Sequence, residues 1–494
     1  MVIRLPAADA VSLHTQTSTT AAHTVALIIM EASDQLSHDR LHRLVASSLP
    51  ALARFRSRLV GKPLGMGQPV WAEIDDYDPT PQIHGATVHN PGGRSEFADL
   101  MGQLAAEPLD RPLWEAWSID GLAGGRWALA VKMSPAVSGG GAGSALVWPR
   151  LLTTRAHDPA DAMPTEPSLG TPSLGELVTD TVTEVIENNV TGAWLFAEAV
   201  TDVLRAARSR LRGARGHKPI APAASSMSGP VPHTVFNAPL TRRRAVAFAS
   251  IRLTDLQTVN NAFGGSITNV FLAACTLSLR AWLQRHGTVP DGPLLMQMPL
   301  APPDADPNAI GNPLTVGRIR LPVQLDDPVL VLTNLHTATE RLNTVRECDI
   351  EKGYGTVDFV TIASVMPPTA AHAASQLYTR LGLPPICHGS VSYITGKPVS
   401  AYCAGARVVG MHTVAPLQAG CGLTIALTSR GDVLDLSVCV CPDNVPAVDD
   451  IATGIAESVD ILVAAARKSP RGHGRSVVTK MTSHATKRSH GRRY

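Results

Sequence analysis

Residues 127–140 read WALAVKMSPAVSGG, and this stretch carries most of the information about the fold. Its first seven residues alternate between two faces, as expected of a β-strand with its period of two. The larger apolar side chains share one face, and they are Trp127, Leu129, Val131 and Met133. The other face carries Ala128, Ala130 and Lys132. The segment that follows predicts a glycine-rich loop at Ser138–Ser144.

Other segments of the chain show equally local patterns. Thr24–Met30, TVALIIM, predicts a buried strand, and Ser37–Leu52 predicts a helix because its apolar residues recur at helical spacing. Near the other end, Leu423–Leu427 and Leu434–Val440 flank a Ser-Arg-Gly-Asp turn, which predicts a hairpin. Asp449–Ala465 predicts an amphipathic helix.

A helix and a linker divide the chain. Ser173 and Glu176 form a capping-box pattern before a helical run of apolar residues. A second helical stretch, Trp194–Leu211, leads into a segment rich in proline, glycine and serine. We therefore predict four segments, which are an N-terminal domain at 1–170, a helical crossover and linker at 171–235, a C-terminal domain at 236–466 and a basic tail at 467–494.

Composition limits the class of protein. The chain has 494 residues, of which 44% are apolar and 17% charged, so a sizeable core in two domains is expected. A formal charge of +2 gives no argument for nucleic-acid binding. The basic residues of the tail, from Arg467 onward, either contact anionic lipid headgroups or are simply solvated.

The cysteines do not predict a metal site or a disulfide framework. There are seven, an odd number, and no pair has zinc-site spacing. Cys439 and Cys441 alternate in a predicted strand, so we expect them to pack in the sheet. The N-terminus has no apolar signal region, and no apolar run reaches the roughly 18 residues that span a bilayer. We predict a cytoplasmic protein with reduced thiols, whose membrane contact is at most peripheral, on the inner face.

Several stretches resemble one family, the bacterial wax ester synthase/diacylglycerol acyltransferases. The resemblance covers roughly residues 3–465 and rests on the order and spacing of the whole set. Its members are PLWEAW at 112–117, GRWAL at 125–129, TNVFLA at 268–273, IGN at 310–312 and AGARVVGMH at 404–412 with APL at 415–417.

The resemblance implies a fold and an activity. The fold would be a two-domain α/β structure of the chloramphenicol-acetyltransferase type, with mixed sheets flanked by helices and a tunnel between the domains. The activity would be transfer of a fatty acyl group from acyl-CoA, as co-substrate, to diacylglycerol or a long-chain alcohol. No cofactor and no metal is implied.

The family motif that supplies the catalytic base is altered in this chain. The family carries HHxxxDG after the strand, and its second histidine takes the proton from the attacking alcohol. Aligned on that strand, Ser134 and Pro135 replace the two histidines, Gly139 replaces the aspartate, and Gly140 is kept. Proline has no titratable group and the hydroxyl of serine is not basic near neutral pH. The resemblance therefore predicts weak or absent activity by the family mechanism.

Four further residues are candidates for the predicted tunnel. His23 and His412 lie in the segments that match the first strand and the late strand, and each is either a packed histidine or a substitute base. The family's NDVVLA segment has drifted, so that its Asn falls on Thr268 and its Asp on Asn269. The run Gly139–Gly143 lacks the lysine of a phosphate-binding loop, and a flexible turn is the simpler interpretation.

Three hypotheses about function remain at this point. The first is an acyl-CoA:diacylglycerol O-acyltransferase/wax ester synthase of triacylglycerol synthesis with reduced activity. The second is a lipid- or acyl-CoA-binding pseudoenzyme that keeps the tunnel but not the reaction. The third is a decaying gene product without a selected function. Contact with a lipid-droplet surface is compatible with the first two.

Overall fold

The structure is a computed structural model that describes residues 2–6, 9–10, 13, 16–63, 67–109, 113–138, 143–156, 164–187, 232–300, 315–351, 387–394 and 401–468. The side chains of residues 299–300, 315–316 and 341–351 are outside the description. Within these residues the chain forms two six-stranded sheets and one small three-stranded sheet, with helices packed against them.

The elements of the first part of the chain are β1 (Ile3–Arg4), β2 (Thr24–Met30), α1 (His38–Ser48), β3 (Ser57–Val60), β4 (Val70–Glu73), β5 (Ile83–Thr87), α2 (Arg94–Ala106), β6 (Trp114–Leu122), β7 (Arg126–Met133), α3 (Pro135–Ser138) and α4 (Gly143–Leu151). A further helix covers 174–187.

The elements of the second part are β8 (Ala245–Arg252), α5 (Leu253–Phe263), α6 (Ile267–His286), β9 (Leu294–Leu300), β10 (Thr315–Leu321), α7 (Pro328–Glu351), β11 (Gly389–Ile394), β12 (Tyr402–Cys403), β13 (Ala406–Val414), β14 (Leu423–Arg430), β15 (Val433–Val440) and α8 (Val448–Lys468).

The two large sheets are both mixed. The N-terminal sheet has the order β12-β13-β2-β7-β6-β5, in which only the β5–β6 pair is parallel. The C-terminal sheet has the order β10-β9-β11-β14-β15-β8, in which β11 is parallel to both of its neighbours. Helices of the same half cover one face of each sheet, and α2 packs between the opposite faces, because an apolar sheet face must be covered to be stable.

A segment of the C-terminal half completes the N-terminal sheet. After β11 the chain leaves the C-terminal sheet, forms β12 and β13 beside β2, and returns to the C-terminal sheet as β14. Residues Val414 and His412 of β13 face Val25 and Leu27 of β2 in the antiparallel register. We call β12 and β13 the exchanged segment. The predicted segment bounds do not express this exchange, and they stay a prediction.

The apolar core of the described residues has three parts, one of which lies between the two large sheets and includes helix α2. That part combines residues of the N-terminal sheet such as Val25, Leu27 and Ala130 with Val246 and Phe248 of the C-terminal sheet. We call the face of the N-terminal sheet that carries Val25 and Leu27 its inner face. Strand β7 is therefore buried on both sides, its larger residues against α1 and α4 and its smaller ones at the inner face.

Most of the predicted elements are confirmed. Strands β2 and β7 and helix α1 lie where their patterns predicted, and the Ser37 hydroxyl caps α1 by accepting from the Arg40 amide at 3.2 Å. The hairpin β14–β15 and helix α8 are confirmed as well. Cys439 and Cys441 are buried in the core between the sheets, as expected of packing residues.

The glycine-rich loop is partly wrong as a prediction. Ser138 ends the short helix α3, and Gly143 begins α4. A side chain at position 143 would meet the Met133 sulfur at 2.6 Å, so the glycine there serves a close helix–strand approach. Residues 139–142, with Gly139 and Gly140, lie outside the described residues, as do Trp194–Leu211, the linker and the tail beyond residue 468.

The 174–187 helix is attached to the N-terminal domain by charged groups. Its capping box is confirmed, since the Ser173 amide donates to Glu176 at 2.9 Å and the Glu176 amide donates to the Ser173 hydroxyl at 3.3 Å. On its buried side Asp180 and Glu184 contact the fully buried ammonium of Lys62. Arg4 of β1 pairs with Asp180 at 2.9 Å. This network docks the helix on the small sheet.

Candidate functional site

The end of β7 forms a compact turn at the position of the altered family motif. Ser134 is 2% exposed, and its amide donates to the Leu113 carbonyl at 3.0 Å. Its hydroxyl accepts from the Ala136 amide at 3.3 Å, and its carbonyl accepts from the Val137 amide at 3.0 Å. Pro135 is the first residue of helix α3. Serine before a helix and proline at its first position are both favoured, so this pair is a helix start.

The turn therefore offers no base among its described residues. The Ser134 hydroxyl is buried and caps the helix, and the ring of Pro135 has no polar atom. The backbone is supported from below by Arg54, whose guanidinium donates to the Ala136 carbonyl at 3.3 Å. Gly139 and Gly140, the other motif-equivalent positions, fall in the part of the chain that the structure does not describe.

A small cavity lies behind the turn. It has a volume of about 180 Å³ and is lined mainly by Leu52, Phe55, Val137, Leu146 and Leu169. Pockets for drug-sized ligands are usually about 300–1,000 Å³, so this cavity is too small for a long acyl chain. It contributes no argument for a substrate site.

His23 lies next to the turn on the inner face. The antiparallel register pairs Thr24 with Met133, so His23 comes beside Ser134, the next residue of β7's chain. The ring of His23 is 3% exposed and, among the described residues, neither nitrogen makes a hydrogen bond of standard geometry. Burial and, to a smaller extent, the positive charge of Lys132 lower the pKa of His23 to about 3, against an opposing contact with the Leu104 backbone. His23 is thus neutral at physiological pH and a weak base.

Lys132 places a buried charge on the same face. It is 1% exposed and its ammonium lies 3.5 Å from the Glu115 carboxylate on the neighbouring strand β6. Sequence analysis did not single out this pair, although a lysine inside a strand of apolar residues was an available signal. His23, Lys132 and Glu115 form a polar group beside the turn, but the nearby positive charge works against protonation of the imidazole.

His412 is also on the inner face, but it has a structural role. Its Nδ1 lies 3.2 Å from the Leu436 carbonyl, and its ring packs against Phe248 with the centroids 4.7 Å apart. Burial lowers the pKa of His412. His412 pairs with Leu27 of β2, whereas Thr24 of β2 pairs with Met133 at the end of β7. The structure therefore does not bring His412 to Ser134.

Asn269 and Thr268 lie at the start of α6, on the far side of the C-terminal sheet. Asn269 is 3% exposed and its amide joins two helices. Its Nδ2 lies 3.2 Å from Nδ1 of His336, and its Oδ1 accepts from the Thr339 hydroxyl at 2.8 Å, both on α7. Thr268 is half-buried. The structure does not place these residues with His23 and the turn.

The two tryptophans of the PLWEAW stretch lie on opposite faces of the N-terminal sheet. Their interval of three would also fit one helix or turn, but Trp114 and Trp117 both lie on strand β6. Three residues apart on a strand, they point to opposite faces. Trp114 is fully buried and donates to the Phe55 carbonyl at 2.8 Å, whereas Trp117 packs at the inner face.

The described residues contain no cluster of three histidine, cysteine or acidic side chains that is placed to hold a metal ion. None of the described helices could cross a bilayer alone, although α5 and α6, bent by 101° at their junction, pass the length and composition test as a pair. Helix α6 is buried along most of its length in the core.

Known structures share this arrangement of two sheets. The wax ester synthase/diacylglycerol acyltransferase of Marinobacter aquaeolei VT8 is similar with a TM-score of 0.64 and 19% identity, over 94% of this chain and 100% of that one. The first condensation domain of the calcium-dependent antibiotic synthetase is similar with a TM-score of 0.55 and 15% identity, over 95% and 97%. The predicted two-domain α/β fold is confirmed, while its tunnel stays a prediction.

Sequence comparison extends over the same length. A Mycobacterium tuberculosis protein named as a diacylglycerol O-acyltransferase is 27% identical over 490 residues, covering 95% of this chain and 92% of the relative. A second protein of that organism, similarly named, is 27% identical over 480 residues, covering 94% and 96%. Residues 5–271 match the wax ester synthase/diacylglycerol acyltransferase catalytic domain, and residues 310–462 match the C-terminal domain of that family. The chain therefore belongs to the wax ester synthase/diacylglycerol acyltransferase family.

Proposed function

We propose that this chain is an acyl-CoA-dependent O-acyltransferase scaffold, directed at diacylglycerol or a long-chain alcohol, whose turnover is weak or absent. The observation that carries the proposal is the turn at Ser134–Pro135. There the family's base is replaced by a pair whose polar groups are used in starting helix α3. Loss of a general base typically costs about 10²–10⁴-fold in rate.

The neighbouring histidine does not restore the base. For acyl transfer the alcohol must lose its proton as its oxygen attacks the thioester carbonyl, and the ideal base has a pKa near the working pH. Burial holds the pKa of His23 near 3, so its affinity for a proton is far below that of an ordinary histidine. The contact of His412 Nδ1 with the Leu436 carbonyl connects β13 of the N-terminal sheet to β15 of the C-terminal sheet.

A non-catalytic role in binding acyl-CoA or lipid is the second candidate. It is favoured by the same turn, which is well formed without the family residues: Ser134 keeps its backbone contact to Leu113 and Pro135 fits the first position of a helix. A scaffold that stays folded around a missing base can retain binding without reaction. The two candidates are separated by residual turnover: product above background favours the first, and binding without any product favours the second.

The assay measures acyl transfer from labelled palmitoyl-CoA to diacylglycerol and to hexadecanol by the purified full chain. The matched variant carries Ser134→His, Pro135→His and Gly139→Asp together. We expect at most trace product from the native protein and an increase of about 100-fold or more in the variant. Palmitoyl-CoA binding by the native protein, measured by calorimetry, identifies the pseudoenzyme if it occurs without product.

The opposite result has a defined meaning. If the native protein turns over at the rate of an ordinary enzyme, and Ser134→Ala leaves that rate unchanged, the proposal of a lost base is wrong. The variants His23→Gln and His412→Gln then test whether either histidine supplies the base. A native protein that neither binds palmitoyl-CoA nor transfers it would count against both candidates.

Diacylglycerol and long-chain alcohols reside in lipid, so the chain is also proposed to contact a lipid surface, as a peripheral protein. The 174–187 helix carries a stripe of exposed apolar residues at intervals of four, which are Leu174, Val178, Val182 and Ile186. Its opposite side is fixed to the N-terminal domain by Lys62. An exposed apolar stripe on a fixed helix fits the interfacial region of a lipid surface.

Flotation with vesicles of phosphatidylcholine and phosphatidylglycerol tests this contact. Val182→Ser with Ile186→Ser should reduce the floated fraction several-fold. Ile461→Ser, which changes a single exposed residue on α8 (51% exposed), is the control and should leave flotation unchanged. Equal flotation of all three proteins would contradict the role of the stripe.

A further inference from the structure

Two cysteines lie side by side at the beginning of neighbouring strands. Cys387 precedes β11 and Cys421 precedes β14, and the parallel register of these strands starts with Gly389 opposite Leu423. Two residues before that pair, the register brings Cys387 beside Cys421. Their sulfur atoms are 2.6 Å apart, about half an ångström more than the length of a disulfide bond. Both are free thiols in the structure.

The backbone on both sides of the pair is held in place. The Asn237 side-chain amide donates to the carbonyl of Cys387 at 2.9 Å and to that of Gly420 at 2.8 Å, so one side chain fixes both strand starts. The Gly422 amide donates to the Phe236 carbonyl at 2.7 Å. Cys387 is fully buried and Cys421 is 7% exposed. The two thiols are therefore kept facing each other, with Cys421 nearer to solvent.

The two thiols differ in acidity. The contact with the Cys387 thiol lowers the pKa of Cys421, and the positive charge of Arg318 acts in the same direction. The same contact, together with burial, raises the pKa of Cys387. The thiolate is the reactive form, so Cys421 is the first of the two to react with an oxidant.

The chain between these cysteines contains the exchanged segment. From Cys387 the chain runs through β11, crosses to the N-terminal sheet as β12 and β13, and comes back at Cys421 before β14. A disulfide bond between the two sulfurs would thus close a covalent loop of chain that contains the exchanged segment. Such a cross-link lowers the conformational entropy of the unfolded chain, because the two ends of this loop can no longer move apart.

We propose that Cys387 and Cys421 are a site of oxidation to a disulfide, which closes the loop carrying the exchanged segment. Hydrogen peroxide is the oxidant considered. The Cys421 thiolate attacks one peroxide oxygen, the S–O bond forms, the O–O bond breaks, and hydroxide leaves and takes a proton to become water. The sulfur of Cys387 then attacks the sulfenic acid, the S–S bond forms and the S–O bond breaks. The thiol proton and the hydroxyl leave as a second water.

The first test maps the bond in the full-length protein. Folded protein is titrated with hydrogen peroxide and the reaction is quenched with catalase. The protein is then denatured in the presence of N-ethylmaleimide, which alkylates the remaining thiols, digested without reductant and analysed by mass spectrometry. We expect a peptide pair linked through Cys387 and Cys421, which dithiothreitol separates. The link should be lost in Cys421→Ser. The control double variant Cys439→Ser/Cys441→Ser removes two other buried thiols of the second half and should keep it.

The second test measures stability with and without the bond. Oxidised native protein should melt a few degrees above reduced native protein, because the cross-link restricts the unfolded chain. Cys387→Ser should melt at one temperature under both conditions. The proposal is overturned if Cys387 and Cys421 are recovered as thiols alkylated by N-ethylmaleimide, under oxidation that modifies the other thiols. Linkage of Cys439 to Cys441 at an equal yield would overturn its selectivity. Neither mapping result depends on a variant that folds.

Discussion

The turn after β7 and the joint between the two sheets use polar groups in different ways. At the turn, the hydroxyl of Ser134 is satisfied by the amide of its own helix, two residues away. At the joint, the carboxylate of Asp435 on β15 is 1% exposed and accepts from the Met411 amide of the exchanged segment at 2.9 Å. One polar group serves local structure and the other connects two halves of the molecule.

The difference shows where the protein has kept its polar contacts. Asp435 also accepts from Ser250 at 2.8 Å and from Arg430 at 2.8 Å, so one buried side chain holds three partners from three strands. The turn keeps its shape but presents no titratable group in its described residues. The family fold is thus maintained by contacts that are independent of the family's catalytic base.

The largest effect is expected at the joint. Asp435→Ala removes the acceptor of a buried amide and of an arginine, and breaking a buried charge pair by removing one partner typically costs about 3–5 kcal/mol. We expect a loss of about 3 kcal/mol in the free energy of unfolding, near the lower end because Arg430 keeps some solvent contact. Urea denaturation measures it. Asp432→Ala, at the exposed turn of the same hairpin, should change stability by less than about 0.5 kcal/mol. Equal losses of stability in the Asp435→Ala and Asp432→Ala variants would mean that Asp435 does not hold the two sheets together.

The next effect is a pH dependence beside the turn. His23 has a pKa near 3 when folded and 6.5 when unfolded, so below pH 6.5 the unfolded chain binds a proton that the folded chain does not. Its contribution to stability is therefore present above pH 6.5 and is lost as the pH falls toward 3. At pH 5 the loss is about 2 kcal/mol relative to pH 7.

His23→Leu should remove that part of the pH dependence. A comparison with the native protein at each pH is needed because burial raises the pKa of Asp9 to about 7, which makes stability fall as pH rises. Urea midpoints at pH 5 and pH 7 give the measurement, with exposed His89→Gln as the matched histidine removal. A native protein and a His23→Leu variant with parallel pH profiles would contradict the neutral buried state of His23.

A third variant asks whether the C-terminal half has a polar joint of its own. Asn269→Ala removes two hydrogen bonds of α6, to His336 and Thr339 on α7, each typically worth about 0.5–1.5 kcal/mol. The expected loss is about 1–3 kcal/mol, measured by thermal or urea unfolding. Thr268→Ala changes the adjacent half-buried residue and should cost clearly less. If both cost the same, Asn269 does not connect the helices energetically.

The smallest effect is expected at the turn itself. Ser134→Ala removes the hydroxyl that caps α3, and loss of such a cap costs about 1 kcal/mol. Ser134→Thr keeps an acceptor and should recover part of it, which differential scanning calorimetry can resolve. A loss as large as that of Asp435→Ala would mean that the turn contributes to more than its own helix.

The elements of this fold that were predictable are those with a complete local pattern. β2, β7, the β14–β15 hairpin and α8 each show their period within the segment itself. Helix α3 was not predicted because Pro135 was read against a family motif, although Ser134-Pro135 is a favoured helix start. Trp114 and Trp117 are separated by an interval of three that also fits a helix, and only the pairing of β6 with β7 shows that they lie on a strand.

The chemistry of the motif follows from its residue types alone, because Ser134 and Pro135 have no basic side chain in any conformation. Residue patterns also indicated the family and the local elements. The folded structure was needed to show that β13 joins β2, that Asp435 connects the two sheets, that His23 lies beside the turn in a neutral buried state, and that Cys387 meets Cys421. The two kinds of information differ because period and capping act over a few residues. Strand pairing and burial, in contrast, depend on groups that are tens to hundreds of residues apart in the chain and meet only in the folded core.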